Sequence, residues 1–442
     1  MRLGVKSILI QAPTGSGKTA LTAHMLKTAA SKGMVSWFCV HRFELIQQAA
    51  RAFNEEGLKF GVISPRFMPD KRPLTQIASI NSLGRRMSKY RPPALIVYDE
   101  SHHLGASSWQ KIHASFPNAY HIGLSATPQR LDGKGLDKYF KHLILGPDIK
   151  TLIGQGYLAN YKIYAPPGIS VEGIHTKMGD FARSEVAAVV DKPSITGDAI
   201  LHYSKYASGK RAVVFAASIE HSKNIVAQFN AAGIKSSHLD GGSETIHRNE
   251  TVKAFTRGEV KVLSNVSLFS EGFDVPAIEA IINLAPTQSL TLYLQKCGRA
   301  LRPFPGKECA IIFDHANDCS RHGLPDEERA WSLSGRDRKK STENVVKIRT
   351  CNRCYAVTSL GAVSCKYCGH VFEIKPREVE HRAGELVEVD ASMIAKQRQR
   401  EQGTAKDLQS LIALGRQRGY KRPEAWAQFI WRARMAKKMA AA

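Results

Sequence analysis

Short runs of apolar residues alternate with longer stretches of mixed polarity through the first third of the chain, and again between residues 212 and 313. Apolar runs of four or five residues are typical of strands buried on both faces, and intervening helices let successive strands lie parallel. The pattern therefore predicts an α/β fold with two tandem parallel-sheet domains. The predicted strands are residues 8–10, 36–40, 76–80, 95–98 and 121–124 in the first domain, and 212–215, 235–239, 260–263, 280–284 and 309–313 in the second.

Glycine and proline interrupt this alternation around residues 146–197, which indicates a connector with one helix near residues 184–190. Beyond residue 320 the chain becomes charged and irregular, and it ends in two predicted helices at 405–417 and 423–439. The predicted boundaries are 1–147 for the first domain, 148–197 for the connector, 198–320 for the second domain, 321–346 for a linker, 347–374 for a four-cysteine ribbon, 375–404 for a second linker and 405–442 for a basic helical tail.

Lys and Arg outnumber Asp and Glu by 63 to 39, a formal net charge of +24. Residues 331–442 carry 23 basic and 11 acidic residues, so half of the excess lies in the last quarter. Such an excess attracts a polyanion through counterion release, although a basic balance can also serve solubility alone. We expect a nucleic-acid partner. With no apolar run of about 18 residues and no signal-peptide pattern, we expect a cytoplasmic protein without a membrane partner.

A glycine-rich loop, Ala12-Pro13-Thr14-Gly15-Ser16-Gly17-Lys18-Thr19, lies between the first predicted strand and a helix that starts near Lys18. This context predicts a phosphate-binding loop rather than a chance turn, because its backbone N–H groups can surround phosphate oxygens. Lys18 would reach the β- and γ-phosphates of ATP, and the Thr19 hydroxyl would ligate Mg²⁺.

Two carboxylates, Asp99 and Glu100, follow the predicted strand 95–98, at the strand end where α/β sheets present ligands. Asp99 would hold the Mg²⁺ shell, and Glu100 would orient or deprotonate the water that attacks the γ-phosphate. His102 could sense that event. Alone, an acidic pair could simply cap the next helix, but its place downstream of a phosphate loop favours the catalytic interpretation.

The order of these motifs resembles helicase superfamily 2, in the branch with a DEAH-like box, from about residue 9 to 314. The resemblance implies two RecA-like (P-loop NTPase) domains that close on ATP and Mg²⁺. The resemblance also implies that Ser125 and Thr127 of the Ser-Ala-Thr segment would couple ATP hydrolysis to the binding of the nucleic-acid strand, and that Gly272 and Asp274 would lie at the nucleotide. By the same resemblance, nucleic acid would be contacted by Arg42, Ser79, Ser82, Ser218, Asn265 and Ser267.

The segment 293–303 is similar to motif VI of the same superfamily, with Gln295 in a coupling position and Arg299 and Arg302 as arginine fingers. Arginines three residues apart share one face of a helix, and a finger on a separate domain reaches the γ-phosphate only when the cleft closes. Two arginines in a basic protein could otherwise be solvated surface residues.

Within the superfamily the chain resembles RadD-type bacterial repair helicases and their phage-borne relatives, on segments 153–158, 215–221, 271–276 and 301–314. Two departures stand out. Lys296 occupies a position where many relatives carry arginine. The chain also starts about eleven residues before the phosphate loop, where relatives carry a glutamine that reads adenine, so we expect either weak selection for ATP or a true start upstream of Met1.

Cys351, Cys354, Cys365 and Cys368 form two C-x-x-C pairs, a spacing that predicts one closed tetrahedral Zn²⁺ site with a structural role. Redox-active dithiols are the alternative, but no βαβ pattern surrounds either pair. The resulting basic ribbon could touch nucleic acid or merely staple the tail. In the tail, arginines and lysines interleave with Tyr420, Trp426, Phe429 and Trp431, which suits either nucleic-acid binding or a helical hairpin with an aromatic core.

Taken together, the sequence predicts an ATP-dependent helicase or translocase that binds nucleic acid with a single-stranded region. The resemblance points to DNA, in repair, recombination or phage DNA metabolism, and to single-strand-binding or replication and repair proteins as partners. One alternative is a nucleic-acid-stimulated ATPase that remodels or binds without separating strands. Another is the motor subunit of a restriction enzyme, against which stands the lack of a nuclease cluster of carboxylates and lysine.

Overall fold

The computed structural model describes residues 4–130, 132–166, 171–177, 179–266, 268, 277–335, 348–372, 391–420 and 422–440. The chain divides into two compact units, Met1–Ile374 and Lys375–Ala442. The first unit contains two parallel sheets and the four-cysteine ribbon, and the second is helical. Within these described ranges, no helix combines the length and the apolar character that a membrane span requires.

The first sheet has seven strands among the described residues, all parallel, in the order β3-β4-β2-β5-β6-β1-β7. Its strands are β1 (Ser7–Gln11), β2 (Ser36–Val40), β3 (Phe60–Ile63), β4 (Thr75–Ser79), β5 (Leu95–Tyr98), β6 (Tyr120–Ser125) and β7 (His142–Leu145), and its helices are α1 (Lys18–Ser31), α2 (Phe43–Glu55), α3 (Ile80–Arg86) and α4 (Ser107–Ser115). The parallel order places the residues after β1, β5 and β6 side by side at one edge.

The second sheet has six parallel strands within the described part of the chain, in the order β12-β13-β11-β14-β15-β8. The elements are α5 (Ile149–Gly154), β8 (Tyr161–Tyr164), β9 (Thr176–Lys177), β10 (Asp180–Phe181), α6 (Arg183–Val190), α7 (Pro193–Tyr206), β11 (Ala212–Phe215), α8 (Ile219–Ala231), β12 (Ser236–Leu239), α9 (Thr245–Thr256), β13 (Val262–Asn265), β14 (Ala280–Asn283), α10 (Leu290–Ala300), β15 (Ala310–Asp314) and α11 (Asp318–His322).

Local sequence accounts for most of these elements. Strand β2 is buried at every position, as expected for a central parallel strand covered on both faces. Helix α2 buries Leu45, Ile46, Ala49 and Phe53, which share one helical face, against the first sheet. Helix α8 begins where the Ser218 hydroxyl accepts a hydrogen bond from His221 N–H, a standard N-cap.

The ten predicted strands are all present, but the pattern missed β3, β7 and β8. Strand β8 lies inside the predicted connector 148–197 and pairs with β15, so that segment belongs in part to the second sheet. Its sequence, Tyr-Lys-Ile-Tyr, mixes polar and apolar residues because it lies at the sheet edge. Helix α6 matches the predicted connector helix, and the short hairpin β9-β10 precedes it, but α5 and the start of α7 also lie in the range for which one helix was predicted.

The four-cysteine ribbon packs on the exposed edge of β8. Its strands β16 (Ile348–Thr350) and β17 (Val357–Ser359) pair antiparallel, and Ala165 N–H donates to Tyr355 C=O at 2.9 Å. Ala356 and Phe372 join the same hydrophobic cluster as Tyr164 and Phe313 of the second sheet. The ribbon therefore covers an otherwise unpaired sheet edge, a role that the sequence did not indicate.

The second unit consists, in its described residues, of three helices: α12 (Ala391–Thr404), α13 (Leu408–Gln417) and α14 (Pro423–Ala440). The two predicted tail helices are confirmed. The linker prediction for 375–404 is wrong over α12, because residues 391–402 contain neither Gly nor Pro and are rich in helix-forming Ala, Gln, Arg and Lys.

Candidate functional site

The phosphate loop joins β1 to α1 in the way its sequence predicts. Gly15 and Gly17 have φ values of 86° and 82°, a left-handed conformation that side chains with a Cβ rarely adopt. Gly17 is the N-cap of α1, so the N–H groups of the first helical turn are directed at the loop. This arrangement suits the binding of an anion at a helix N-terminus.

Lys18 begins α1 and turns back into the loop, where its Nζ donates to Ala12 C=O and Pro13 C=O, both at 3.0 Å. Burial lowers the pKa of Lys18, and the nearby Glu100 and Asp99 carboxylates oppose that change. Arg302 and Arg299 of the second domain lower it further. A phosphate group would be a stronger partner for this ammonium than two neutral carbonyls.

Asp99 and Glu100 directly follow β5 at the same edge of the sheet as the loop, and both are at least nine-tenths buried. Burial raises the pKa of Asp99 to about 6, assisted by the neighbouring Glu100 charge. Glu100 has φ 50°, a left-handed conformation that costs free energy in a residue with a Cβ. Strain and desolvation coincide here, and both are typical of catalytic sites.

The donor set around the loop fits Mg²⁺. The oxygens of Asp99 and Thr19 are hard ligands of the type that Mg²⁺ binds together with substrate phosphates. The Ser16 hydroxyl beside them is buried without a hydrogen-bond partner in the described structure. Asp99, raised in pKa by the low-dielectric surroundings, would recover its charge next to a divalent cation.

The Ser-Ala-Thr segment after β6 links the acidic pair to the second domain. His102 Nδ1 lies 3.4 Å from Glu100 Oε2 and 3.4 Å from Ser125 Oγ. Ser125 Oγ in turn donates to Thr127 C=O at 2.5 Å. The Thr127 hydroxyl lies 2.7 Å from the Thr291 hydroxyl at the start of α10. A chain of polar contacts therefore runs from the acidic pair across the domain interface.

Helix α10, which carries motif VI, lies directly against the phosphate loop. A Cβ added at Gly298 would approach Thr14 Cβ to 2.7 Å, closer than real side chains pack. Gln295 Nε2 lies 3.5 Å from Glu100 Oε2. Only a glycine lets the helix come this near, and the approach brings Gln295 to the acidic pair.

Arg299 and Arg302 lie on this helix and just after its end. Arg299 is 5% exposed, and the Arg302 side chain runs past Gly15, where an added Cβ would lie 3.6 Å from Arg302 Cγ. Both guanidinium groups are close enough to Lys18 to lower its pKa. The predicted fingers therefore lie at the loop and are not solvated surface residues.

Lys296, the departure from the superfamily pattern, points away from this site. Its Nζ donates to Asn283 Oδ1 at 2.9 Å and to Ala285 C=O at 2.6 Å, and it lies 3.7 Å from Asp318 Oδ2. A compact ammonium is enough for this buried position inside the second domain. The polar contacts of Lys296 therefore lie within the second domain.

Two further contacts join the two sheet domains. Arg248 of α9 forms an ion pair with Glu44 of α2, with Nη1 and Oε1 2.9 Å apart. Arg42 Nη1 donates to Leu268 C=O at 3.3 Å. The predicted nucleic-acid residue Arg42 thus contacts the second domain in this closed arrangement.

The other predicted nucleic-acid residues differ in position. Ser79 ends β4 beside the end of β2, whereas Ser82 is mostly buried in α3. Ser218 caps α8. Asn265 is a correction: it is fully buried and donates to Val214 C=O at 2.7 Å, so its amide holds adjacent strands together rather than facing a ligand. Ser267, Gly272 and Asp274 lie outside the described residues.

Sequence reasoning missed several residues that build the interface. Thr291 and Glu44 gave no signal because their partners are distant in sequence. Gln11 was also missed, although its buried amide donates to Ala126 C=O at 2.9 Å and so fixes the phosphate loop to the Ser-Ala-Thr segment. A polar residue ending an otherwise apolar strand was the available clue.

The four predicted zinc ligands are brought together. The Sγ atoms of Cys351, Cys354, Cys365 and Cys368 all lie within 4.8 Å of one another, and two of the pairs are 3.6 Å apart. Tetrahedral Zn²⁺ with Zn–S bonds of about 2.3 Å separates its sulfurs by about 3.8 Å. The cluster fits Zn²⁺ closely, and four thiolates leave no open position for catalysis.

Two family models match the chain, each over one of the sheet domains. The model described as "Type III restriction enzyme, res subunit" matches residues 3–130, and "Helicase conserved C-terminal domain" matches residues 191–303. The two matches cover the phosphate loop and acidic pair in one case and motif VI in the other.

Among relatives, a 51.5 kDa protein of a Lactococcus phage (isolate 7-9) is 34% identical over 392 residues, covering 88% of this chain and 83% of that protein. A Saccharomyces cerevisiae protein provisionally named as the ATP-dependent helicase IRC3 is 26% identical over 71% of this chain. The chain spans 49% of that yeast relative.

Among solved structures, a fragment assigned as an HsdR subunit of a type I restriction enzyme from Vibrio vulnificus YJ016 is similar with a TM-score of 0.57. It is 21% identical, and the match covers 73% of this chain and 63% of the fragment. At that identity the similarity establishes the fold alone: two RecA-like domains in tandem.

The raised pKa of Asp99 makes Mg²⁺-dependent nucleotide binding sensitive to acid. When the pH falls below the Asp99 pKa of about 6, the carboxyl is protonated in the free protein. Binding of Mg²⁺ to Asp99 must then displace that proton. From pH 7.5 to 5.5 the ionised fraction falls about fourfold, and the apparent Mg²⁺ affinity should fall by the same factor. Titration of Mg²⁺ with a fluorescent ATP analogue measures this, and Asp99→Asn controls for protonation of the nucleotide. If wild type and Asp99→Asn differ in apparent Mg²⁺ affinity by the same factor at every pH in this range, Asp99 does not hold Mg²⁺.

The Thr127–Thr291 contact should stabilise the closed cleft. Thr127→Val leaves one buried hydroxyl without its partner, which costs about 1–3 kcal/mol, whereas the double variant Thr127→Val/Thr291→Val replaces both by apolar groups of similar shape. We expect the single variant to need at least about fivefold more nucleic acid for half-maximal ATPase, and the double variant to recover part of that loss. If the loss in the double variant equals the sum of the losses in Thr127→Val and Thr291→Val, the two hydroxyls are not directly coupled.

Zinc removal should destabilise the second sheet domain as well as the ribbon, because the two share one hydrophobic cluster. Cys365→Ser should lower the bound zinc from one equivalent per chain and lower the thermal midpoint by several degrees, since loss of a metal site is a large perturbation. Elemental analysis and calorimetry measure the two effects. Cys309→Ser, a cysteine outside the cluster, is the matched control.

Proposed function

The chain belongs to helicase superfamily 2 and is an ATP-hydrolysing enzyme of the helicase type that acts on nucleic acid, and from this premise we propose that it is a DNA helicase or translocase. The observation that carries the proposal is the division of one site between two domains. Lys18, Asp99 and Glu100 come from the first sheet, and Gln295, Arg299 and Arg302 come from α10 and its end in the second.

Each half of the site is incomplete by itself. In the first domain, Lys18 and the loop N–H groups can bind phosphate, but the first domain supplies no arginine at the loop among its described residues. Arg299 and Arg302 arrive only when α10 packs on Thr14 and Gly15. Hydrolysis would then occur in the closed state and its products would favour opening, which converts chemistry into domain motion.

The residues can be given roles on this basis. Lys18 would exchange its two carbonyl partners for the β- and γ-phosphates, and Asp99 and Thr19 would hold Mg²⁺, which neutralises phosphate charge when bound. Glu100 would accept the proton of the attacking water, held in place by His102 and Gln295. Arg299 and Arg302 would stabilise the charge that develops on the γ-phosphoryl oxygens.

DNA is proposed as the substrate on the resemblance to repair helicases and their phage-borne relatives, together with the net charge of +24. The similarity to a phage protein over 83% of its length supports a role in phage or bacterial DNA metabolism. Single-strand-binding, replication or repair proteins would be its natural partners in that setting.

A second candidate is an ATPase that remodels or binds nucleic acid without separating strands. The same closure of α10 on the phosphate loop would serve it, so the nucleotide site does not distinguish the two. The decisive comparison is displacement of a labelled strand from a tailed duplex against ATPase stimulation by single-stranded DNA, duplex DNA and RNA. Stimulation without displaced strand would favour the remodeller.

Arg302→Ala should abolish ATP hydrolysis and strand displacement while sparing nucleotide binding. An arginine finger contributes about 10³ to 10⁵ in rate in related phosphoryl transfers, so the maximal ATPase rate should fall by at least about 10³. Arg257→Ala, which removes an exposed arginine paired with Glu259, is the matched control and should retain wild-type rates. Retained turnover in Arg302→Ala would refute the finger, and equal rates with and without any nucleic acid in wild type would refute the motor.

A further inference from the structure

The helical part of the C-terminal unit, residues 391–442, carries a positive charge that its own carboxylates leave largely uncompensated. Over the whole unit, residues 375–442, fifteen Lys and Arg stand against eight Asp and Glu. Residues 391–442 contain twelve Lys and Arg against three Asp and Glu. All three acids are already engaged: Glu401 with Arg418 at 2.8 Å, Glu424 with Arg416 at 2.7 Å, and Asp407 as the N-cap that accepts from Ser410 N–H at 2.7 Å. The remaining basic groups create a field that favours a polyanion.

Helix α14 has two different faces. Trp426, Ala427 and Ile430 pack into a small core with Leu411 of α13, and Trp431 joins them. The two tryptophans are partly buried and pack against the buried Ala405, Leu411 and Ala427, in keeping with the hairpin alternative. Outside this core, Arg422, Phe429 and Arg432 are exposed, with Arg422 and Phe429 flanking Trp426.

The exposed side combines an aromatic ring with two guanidinium groups: Arg422 immediately precedes α14, Phe429 lies two turns further on, and Arg432 lies one turn after Phe429. Residues 422, 429 and 432 are seven and three positions apart, a spacing that places them on one helical face. Phe429 is 71% exposed, so it contributes little to the core of the unit. Arginines bind phosphate oxygens through paired N–H groups, and an exposed ring can stack on a base.

Single-stranded nucleic acid matches this face better than an acidic peptide does. Its bases are accessible for stacking on Phe429, and its backbone carries one charge per nucleotide. Exposed basic residues on α12, among them Lys396, Arg398 and Arg400, extend the positive surface beyond α14. An extended basic surface with an aromatic ring suits a polymer of phosphates and bases.

We propose that the face of α14 formed by Arg422, Phe429 and Arg432 is a second binding site for single-stranded nucleic acid, which acts without bound nucleotide. None of these residues belongs to the two sheet domains, so the site goes beyond the ATP-driven cleft. It would keep the strand attached to the protein while the cleft opens and the motor contacts are released. Its effect is a raised local concentration of the strand.

The test measures binding of the full chain to a labelled single-stranded oligonucleotide by fluorescence anisotropy, without nucleotide, over a series of salt concentrations. Each phosphate contact on a single strand contributes about 0.7 to the slope of log affinity against log salt, so Arg422→Ala/Arg432→Ala should lower the slope by about 1.4. Phe429→Ala should weaken binding at least about fivefold and leave the slope unchanged, because stacking involves no counterion.

The matched control is Lys138→Ala/Lys223→Ala, which removes the same charge from exposed positions in the two sheet domains. A control variant with the same loss of slope would overturn the proposal, as would wild-type affinity in Phe429→Ala. Competition by polyglutamate as effective as that by the oligonucleotide would overturn it in favour of an acidic protein partner.

ATPase kinetics separate this site from the motor. Without nucleic acid, every variant should hydrolyse ATP at the wild-type rate, which shows that the sheet domains are intact. With nucleic acid, the tail variants should need more oligonucleotide for half-maximal stimulation and reach the same maximal rate. A reduced maximal rate would overturn the proposal. If wild-type ATPase does not respond to nucleic acid, the proposed motor fails, and the anisotropy result still decides the tail site independently.

Discussion

The packing of helix α10 on the phosphate loop is the contact on which the rest of the first unit depends. It relies on the absence of a side chain at Gly298, because a Cβ there would collide with Thr14. The close approach brings Gln295 to Glu100 and places Arg302 beside Gly15. It also aligns Thr291 with Thr127. A shift of the helix by one side-chain radius would break all of these contacts together, as an interface that opens and closes as a unit requires.

Charged groups are buried at the phosphate loop next to this interface. Lys18, Asp99 and Glu100 are withdrawn from water at the same place, and the costs appear as a lowered pKa for Lys18 and a raised pKa for Asp99. Both shifts disfavour the charged form that phosphate and Mg²⁺ would stabilise. The left-handed backbone of Glu100 adds strain at the same position. The site is therefore arranged so that ligand binding relieves electrostatic and conformational costs that the free protein carries.

The four-cysteine ribbon and the C-terminal helices differ in what they pack against. The ribbon continues the second sheet domain, since it covers the edge of β8 and its residues share a core with Tyr164 and Phe313. Its Zn²⁺ site would thereby stabilise the domain that carries Arg299 and Arg302. The C-terminal helices instead form their own small core around Leu411 and Ala427. Their outward arginines and Phe429 remain available for a ligand.

The sequence by itself determined the features that local chemistry controls. Buried strands were readable from apolar runs, the turn at Gly15 and Gly17 from glycine, the pairing of Arg299 with Arg302 from helical spacing, and the cysteine cluster from its two C-x-x-C pairs. Only the tertiary structure decided that Thr127 meets Thr291, that Glu44 meets Arg248, that Asn265 turns into the sheet, and that β8 leaves the connector to pair with β15. These contacts join residues that are distant in the sequence. Neither partner has a local sequence pattern that indicates the contact, because the contact forms only when the two surfaces pack together.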